Sequence, residues 1–221
     1  MQRISLFVFC LILSLATRAE TRDSLTRSGY TLIFINRDAS FDPAVKERLI
    51  NTFFTVYPKE VRLYNPRAAR KVTFIVDPSF EGVAATDSGM TGFNPAWFKK
   101  HPGDVDVVTH EVMHIVQAYP DNAGPGWITE GIADYVRYAM GVDNAGAGWR
   151  LPEYSPTQNY RDAYRVTARF FAWLEGHGHK GIVKGLDSAM RSGKYSDATW
   201  KKLTGKTVDE LWADYAANPA L

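Results

Sequence analysis

Val108-Thr109-His110-Glu111-Val112-Met113-His114-Ile115-Val116-Gln117 is the stretch on which the reading of this chain turns. Its valines and isoleucine recur at helical spacing, and the pattern predicts a helix over Asp104–Ala118. Residues four apart on a helix share one face, with Cβ atoms roughly 5–6 Å apart. His110 and His114 can therefore both reach one Zn²⁺, at about 2.0–2.1 Å. Glu111 is rotated about a third of a turn away: too far round to join the ligand plane, but long enough to reach a water on the metal. That is the place of a general base.

Two histidines leave a catalytic zinc short of the three protein ligands it needs. The next apolar-periodic run, Trp127–Met140, supplies carboxylates: Glu130 and Asp134 lie four apart among Trp127, Ile128, Ile132 and Ala133. An isolated pair of this kind normally marks a solvated helix face. Directly after H-E-x-x-H and inside an apolar run, it reads instead as a buried functional pair, from which one carboxylate can complete the site. The Gly/Pro-rich loop over 120–126 lets the second helix turn back beside the first.

Outward from these helices the pattern divides in two. Tyr30–Asn36 and Lys71–Val76 are β-rich, Pro43–Tyr57 has helical spacing with Asp42 as N-cap, and Gly82–Thr86 reads as a short third strand. A turn is expected through Gly89, Gly92 and Asn94-Pro95. Further helices are expected over Tyr160–Glu175, Ile182–Met190 and Thr207–Ala216, with 141–158 as a long loop. The order predicts an α+β fold in one domain, residues 20–221, sheet-rich over 28–100 and helical over 104–221.

The 221 residues, 45% hydrophobic and 13% aromatic, suffice for one full core. Residues 1–19 read as a secretory signal: Arg3 before the apolar Ile4–Leu15, then Thr17-Arg18-Ala19 ahead of Glu20. The apolar run is too short to span a bilayer, which takes roughly twenty residues. Removing 1–19 takes away two arginines and no acid, so 26 Lys and Arg fall to 24 against 24 Asp and Glu. A neutral mature chain gives no reason to expect nucleic acid or an anionic membrane as partner. The single cysteine, Cys10, leaves with the signal, and Phe7-Val8-Phe9 before it lacks the small residue of a lipid-anchoring site. The expected location is secreted or periplasmic, without disulfides.

H-E-V-M-H-I-V-Q followed by G-W-I-T-E-G-I-A-D-Y-V-R resembles the basic secretory protein family of peptidases, and the two motifs together are similar to zincin metallopeptidases of the gluzincin type. The resemblance implies a zincin fold, a small twisted sheet over the histidine helix with substrate along an edge strand. It implies His110, His114 and Glu130 as zinc ligands, Glu111 as base, and Asp134 as hydrogen-bond partner of a ligating histidine. Once processed, this chain departs from the family name in not being basic. A second zincin type takes an aspartate as third ligand with a tyrosine close behind; Asp134 with Tyr138 resembles it loosely, at a spacing of four rather than three.

Peptide hydrolysis also needs an oxyanion donor. Tyr164 is the candidate, because Y-R-V-T-A-R-F-F-A-W-L resembles the helix after the metal motif in related zincins; Tyr160, His177 and His179 are weaker ones. Trp97, Trp149 and Trp173 either pack or line a cleft. The expected activity is a secreted, zinc-dependent endopeptidase acting on polypeptides through a metal-activated water. Two other readings stay open: an amide hydrolase of cell-wall peptides, and a non-catalytic binding module holding structural zinc.

Overall fold

A computed structural model describes residues 20–221; the expected signal at 1–19 lies outside them. Five strands form one mixed sheet in the order β1-β2-β3-β5-β4: β1 (Thr21–Arg27), β2 (Tyr30–Asn36), β3 (Lys71–Val76), β4 (Ala84–Asp87) and β5 (Met90–Phe93). β2, β3 and β5 are parallel, and each outer strand runs antiparallel to its neighbour. Both hairpins turn on a Ser-Gly pair, Ser28-Gly29 and Ser88-Gly89, with all four residues at positive φ. Two successive left-handed residues give the tight turn whose twist matches the strands it joins.

Alternation sets the core face. Leu32, Phe34, Val72, Phe74, Val76 and Phe93 are fully buried on one side of the sheet. Helix α1 (Pro43–Leu63) lies against them, with Phe53 edge-on to Phe74 at 5.5 Å. Asp42 caps this helix by accepting from the Ala44 N–H at 2.8 Å. The helical spacing in the sequence predicts its end at Tyr57. The helix runs on through Pro58 to Leu63 instead, since Glu60 and Val61 in the next turn are buried and packing outweighs the backbone bond that the proline removes.

Two strands escape the sequence pattern. β1 has one apolar residue, Leu25, and is held by antiparallel pairing along its whole length with β2; Lys46 also pairs with Asp23 at 2.5 Å, and Arg27 lies 4.7 Å over Phe54. The sheet therefore starts at Thr21 rather than near 28. β5 stands where a glycine turn is expected. It is four residues long, Thr91 and Phe93 are buried, and Gly92 lies under the Phe80 ring, where a Cβ would meet a ring carbon at 2.8 Å. Gly92 there marks a close approach, not a bend.

After α2 (Pro95–Lys100), an unexpected short helix capped by Asn94, the rest is helical. α3 (Val107–Gln117) and α4 (Gly126–Met140) follow, and then α5 (Tyr164–Gly176), α6 (Ile182–Arg191), α7 (Ala198–Thr204) and α8 (Val208–Ala217). α7 is also unforeseen; its Trp200 is fully buried and stacks 6.0 Å from Trp127. α4 and α5 cross so closely at Gly131 that a Cβ there would lie 2.3 Å from the Thr167 methyl. The expected mixed α+β fold, with a small sheet before a helical half, is the one observed.

Candidate metal centre

α3 is buried along nearly its whole length between the sheet, α1 and α4, so its polar residues are present at the expense of core. They are not idle. The His110 Nδ1 lies 2.7 Å from Asp134 Oδ1, and the His114 Nδ1 lies 2.7 Å from Gln117 Oε1. A carboxylate only accepts, and the Gln117 amide nitrogen is already donating to the Thr129 carbonyl at 2.9 Å. Both histidines therefore carry their ring proton on Nδ1.

This leaves both Nε2 atoms facing each other, 3.2 Å apart. Glu130 Oε2 stands 3.3 Å from the first and 3.6 Å from the second. Three donor atoms thus form a near-equilateral triangle whose edges exceed the 2.7–2.9 Å or so of a charge-assisted hydrogen bond. Ligands about 2.0–2.1 Å from a tetrahedral zinc stand about 3.3–3.4 Å apart, so the triangle fits that ion. Burial raises the Glu130 pKa, but the facing His110 and His114 rings outweigh it and hold the carboxyl down at about 2. Burial pushes His110 down, while Asp134 and Glu130 overcome it and lift the pKa to about 10; the pocket is built for positive charge.

Glu111 faces the same cavity, of about 400 Å³, from one side. Its Oε2 accepts the Thr86 hydroxyl at 2.8 Å, and the Thr86 oxygen lies 2.9 Å from the buried Thr91 hydroxyl. The edge strand β4 thereby fixes the carboxylate. Asn94 N–H bonds to the Val83 carbonyl, so by antiparallel alternation Ala84 and Thr86 turn their backbone groups to the open edge of the sheet.

Tyr164 lines the cavity opposite, its ring parallel to that of His110 within 15° at 6.2 Å. The Glu130 carboxylate, helped by partial burial, raises its pKa above 10, so the phenol keeps its proton and can donate. It sits on an unusual turn. The expected helix from Tyr160 is interrupted: a 3₁₀ turn over Tyr160–Asp162 ends at Ala163, at φ 63° and ψ −171°, and α5 starts only at Tyr164, itself at φ 48°. The Ala163 conformation is one that essentially only glycine adopts without strain.

The weaker candidates lie elsewhere. Tyr160 donates to Asp209 at 2.7 Å within an aromatic cluster. His177 stacks on Trp173 at 4.5 Å, His179 lines a separate hollow, and Tyr138 does not line the cavity. Trp173 is packed, while Trp97 and Trp149 line a cleft. Gln117 and Thr86 are absent from the sequence-based candidates. Gln117 has a legible signal, three residues after His114 on the same face; Thr86 has none, because its partner is 25 residues away.

A mixed sheet with an antiparallel edge strand over a His–Glu helix defines a zincin fold, and solved zincins share it. The chain superimposes on an aminopeptidase N family protein from Idiomarina loihiensis with a TM-score of 0.57 at 11% identity, covering 88% of this chain and 46% of that one. The M1 zinc metallopeptidase from Deinococcus radiodurans gives 0.55 at 12%, covering 91% and 52%. A two-domain M1 zinc metallopeptidase variant bound to L-tryptophan gives 0.52 at 12%, covering 92% and 52%. This chain thus spans about half the length of the structures it matches, and such identities carry the fold alone. No curated protein matches the sequence. Residues 13–215 match the family model described as peptidase of plants and bacteria, and the chain belongs to that family, the basic secretory proteins.

Proposed function

We propose that this peptidase is an exported, zinc-dependent endopeptidase. The observation that carries the reading is the triangle of His110 Nε2, His114 Nε2 and Glu130 Oε2, whose edges of 3.2–3.6 Å suit three ligands of one tetrahedral zinc. The three residues also make up the one cluster of potential metal ligands among the described residues. Glu130 meets the ligand edge of His110, whereas Asp134 meets the opposite edge; this supports Glu130 as third ligand and Asp134 as the group that orients the ring.

Zinc held there supplies a Lewis acid that polarises the scissile carbonyl and makes water acidic near neutral pH. Glu111, held by Thr86 and lining the cavity, takes the proton of the attacking water and delivers it to the leaving amine. Tyr164 donates its hydroxyl proton in a hydrogen bond to the oxyanion. The substrate lies extended along β4, whose outward groups at Ala84 and Thr86 pair with its backbone.

Three observations favour this over the other readings. A structural zinc is closed by four protein ligands, whereas this triad borders an open cavity. Among the described residues lining that cavity, Glu111 and Glu130 are the only carboxylates. With both engaged at the centre, none is free to hold a substrate N-terminal ammonium, which favours internal cleavage. The cleft also continues beyond the centre on both sides, as an extended chain requires. Export rests on the 1–19 signal, and no helix of the described residues is long and apolar enough to cross a membrane. Metal analysis of the purified chain, paired with digestion of a denatured protein, tests the proposal: one zinc per chain and internal cleavage sites are expected. A metal-free chain, or cleavage confined to terminal residues or cell-wall peptides, would overturn it.

A further inference from the structure

Beside Glu111, away from His114, the cavity opens into a cleft of about 710 Å³ bordered by Val83, Trp97, Val107, Trp149, Tyr164 and Arg165. Its two indoles come from segments 52 residues apart and are tied together through Asp104 and Arg137, which also border the cleft. The Trp97 Nε1 donates to Asp104 Oδ2 at 2.8 Å, Asp104 Oδ1 accepts from Arg137 at 2.5 Å, and the Arg137 guanidinium lies 4.6 Å over the Trp149 ring. Asp104 and Arg137 are both buried. A buried pair of this kind adds little stability, because desolvation offsets its attraction. What it does is hold two aromatic walls in fixed positions.

The Trp149 loop is also fastened to the metal helix. Asp106, fully buried just before α3, accepts from the Val142 N–H at 2.8 Å and from the Asp143 N–H. Gly103 and Gly146 pass so closely that a Cβ on Gly103 would meet the Gly146 carbonyl oxygen at 2.6 Å. The cleft is therefore a preformed pocket in register with Glu111. Its apolar walls are indole and valine, and each of its three acids is engaged: Asp104 by Arg137, Asp134 by His110 and Glu111 by Thr86. The exposed Arg165 stands at the rim with no ion pair among the described residues. Apolar and aromatic walls of this kind welcome a large aromatic side chain.

We infer that this cleft is a specificity subsite that takes a Phe, Tyr or Trp side chain of the substrate next to the scissile bond. The inference rests on the peptidase reading above, yet its test separates the two. Zinc-loaded Glu111→Gln, whose turnover should be slowed about 100-fold or more, is titrated by calorimetry with two peptides identical except for Phe or Ala at one position; wild type digests the same pair and a position-scanning library. Phe is expected to bind at least about 10-fold more tightly than Ala, and cleavage sites to concentrate beside aromatic residues. In a Trp149→Ala background the Phe/Ala ratio is expected to fall about 10-fold, and Trp149→Phe to restore most of it. Zinc content reports on folding in each variant. A Phe/Ala ratio near one in zinc-loaded protein, or a ratio indifferent to Trp149→Ala, overturns the subsite. Selective binding with no hydrolysis by wild type would overturn the enzymatic reading and leave the pocket standing.

Discussion

Gln117 Oε1 accepts the His114 Nδ1 proton at 2.7 Å, one turn further along the same helix. Its amide nitrogen is anchored on the Thr129 carbonyl in α4, so Gln117 ties the ring orientation of one proposed ligand to the helix carrying the third. Gln117→Leu should weaken zinc binding by about 10- to 100-fold, measured by chelator competition. Unchanged affinity would mean that the ring is held by packing alone.

Glu130 and Asp134 should part company when altered. Glu130→Ala leaves two nitrogens on the metal, so zinc and activity should be lost together. Asp134→Asn removes an anionic acceptor from His110 and should keep zinc with affinity or turnover lowered about 10- to 100-fold, partly recoverable with added metal. The reversed result would make Asp134 the ligand.

The proposed base can be separated from the group that aims it. Glu111→Gln should bind zinc normally while hydrolysis falls by about 100-fold or more. Thr86→Val removes one hydrogen bond to Glu111 and should lower kcat by about 10-fold at unchanged zinc content. If Thr86→Val acts on KM alone, the threonine serves the substrate rather than the carboxylate.

Ala84→Pro tests how substrate is presented. It deletes an outward N–H on β4 without touching the metal residues, so kcat/KM should fall by about 10-fold with zinc retained. Kinetics like wild type would place the peptide elsewhere.

Glu60 makes a separate, pH-dependent prediction. It is fully buried in α1, both carboxylate oxygens lack a hydrogen-bond partner among the described residues, and burial raises its pKa well above the usual 4.5. With the folded value raised, the unfolded chain ionises first, so its contribution to stability falls as pH rises above about 4.5 towards the folded value. Glu60→Met should therefore gain little stability at about pH 5 and about 1–3 kcal/mol at about pH 8, read from urea unfolding. An equal gain at both values would show that Glu60 is ionised in the fold.

What the sequence made legible follows the range of the interactions. His110, Glu111 and His114 sit on one helix, where spacing alone sets geometry, and Glu130 with Asp134 repeats that logic one helix later. Strands β2 and β3 announce themselves because one face of each is buried. β1 and β5 do not, since one shows a single apolar residue and is placed by its pairing with β2, and the other carries a glycine lying under a distant phenylalanine. The two cleft tryptophans gave no sign of which surface they shared, because Asp104 and Arg137 connect them only in three dimensions.

Ala163 bears on how this chain would answer to selection for heat tolerance. Glycine at that position relieves the left-handed backbone, and relief of such strain is worth about 1–3 kcal/mol. Random mutagenesis scored on survival at high temperature should therefore find Ala163→Gly early. The same replacement gives more backbone freedom to the turn just before Tyr164, whose phenol lies parallel to His110. Lineages hardened by heat should drift towards slower hydrolysis, and those selected for turnover should keep the uncomfortable alanine.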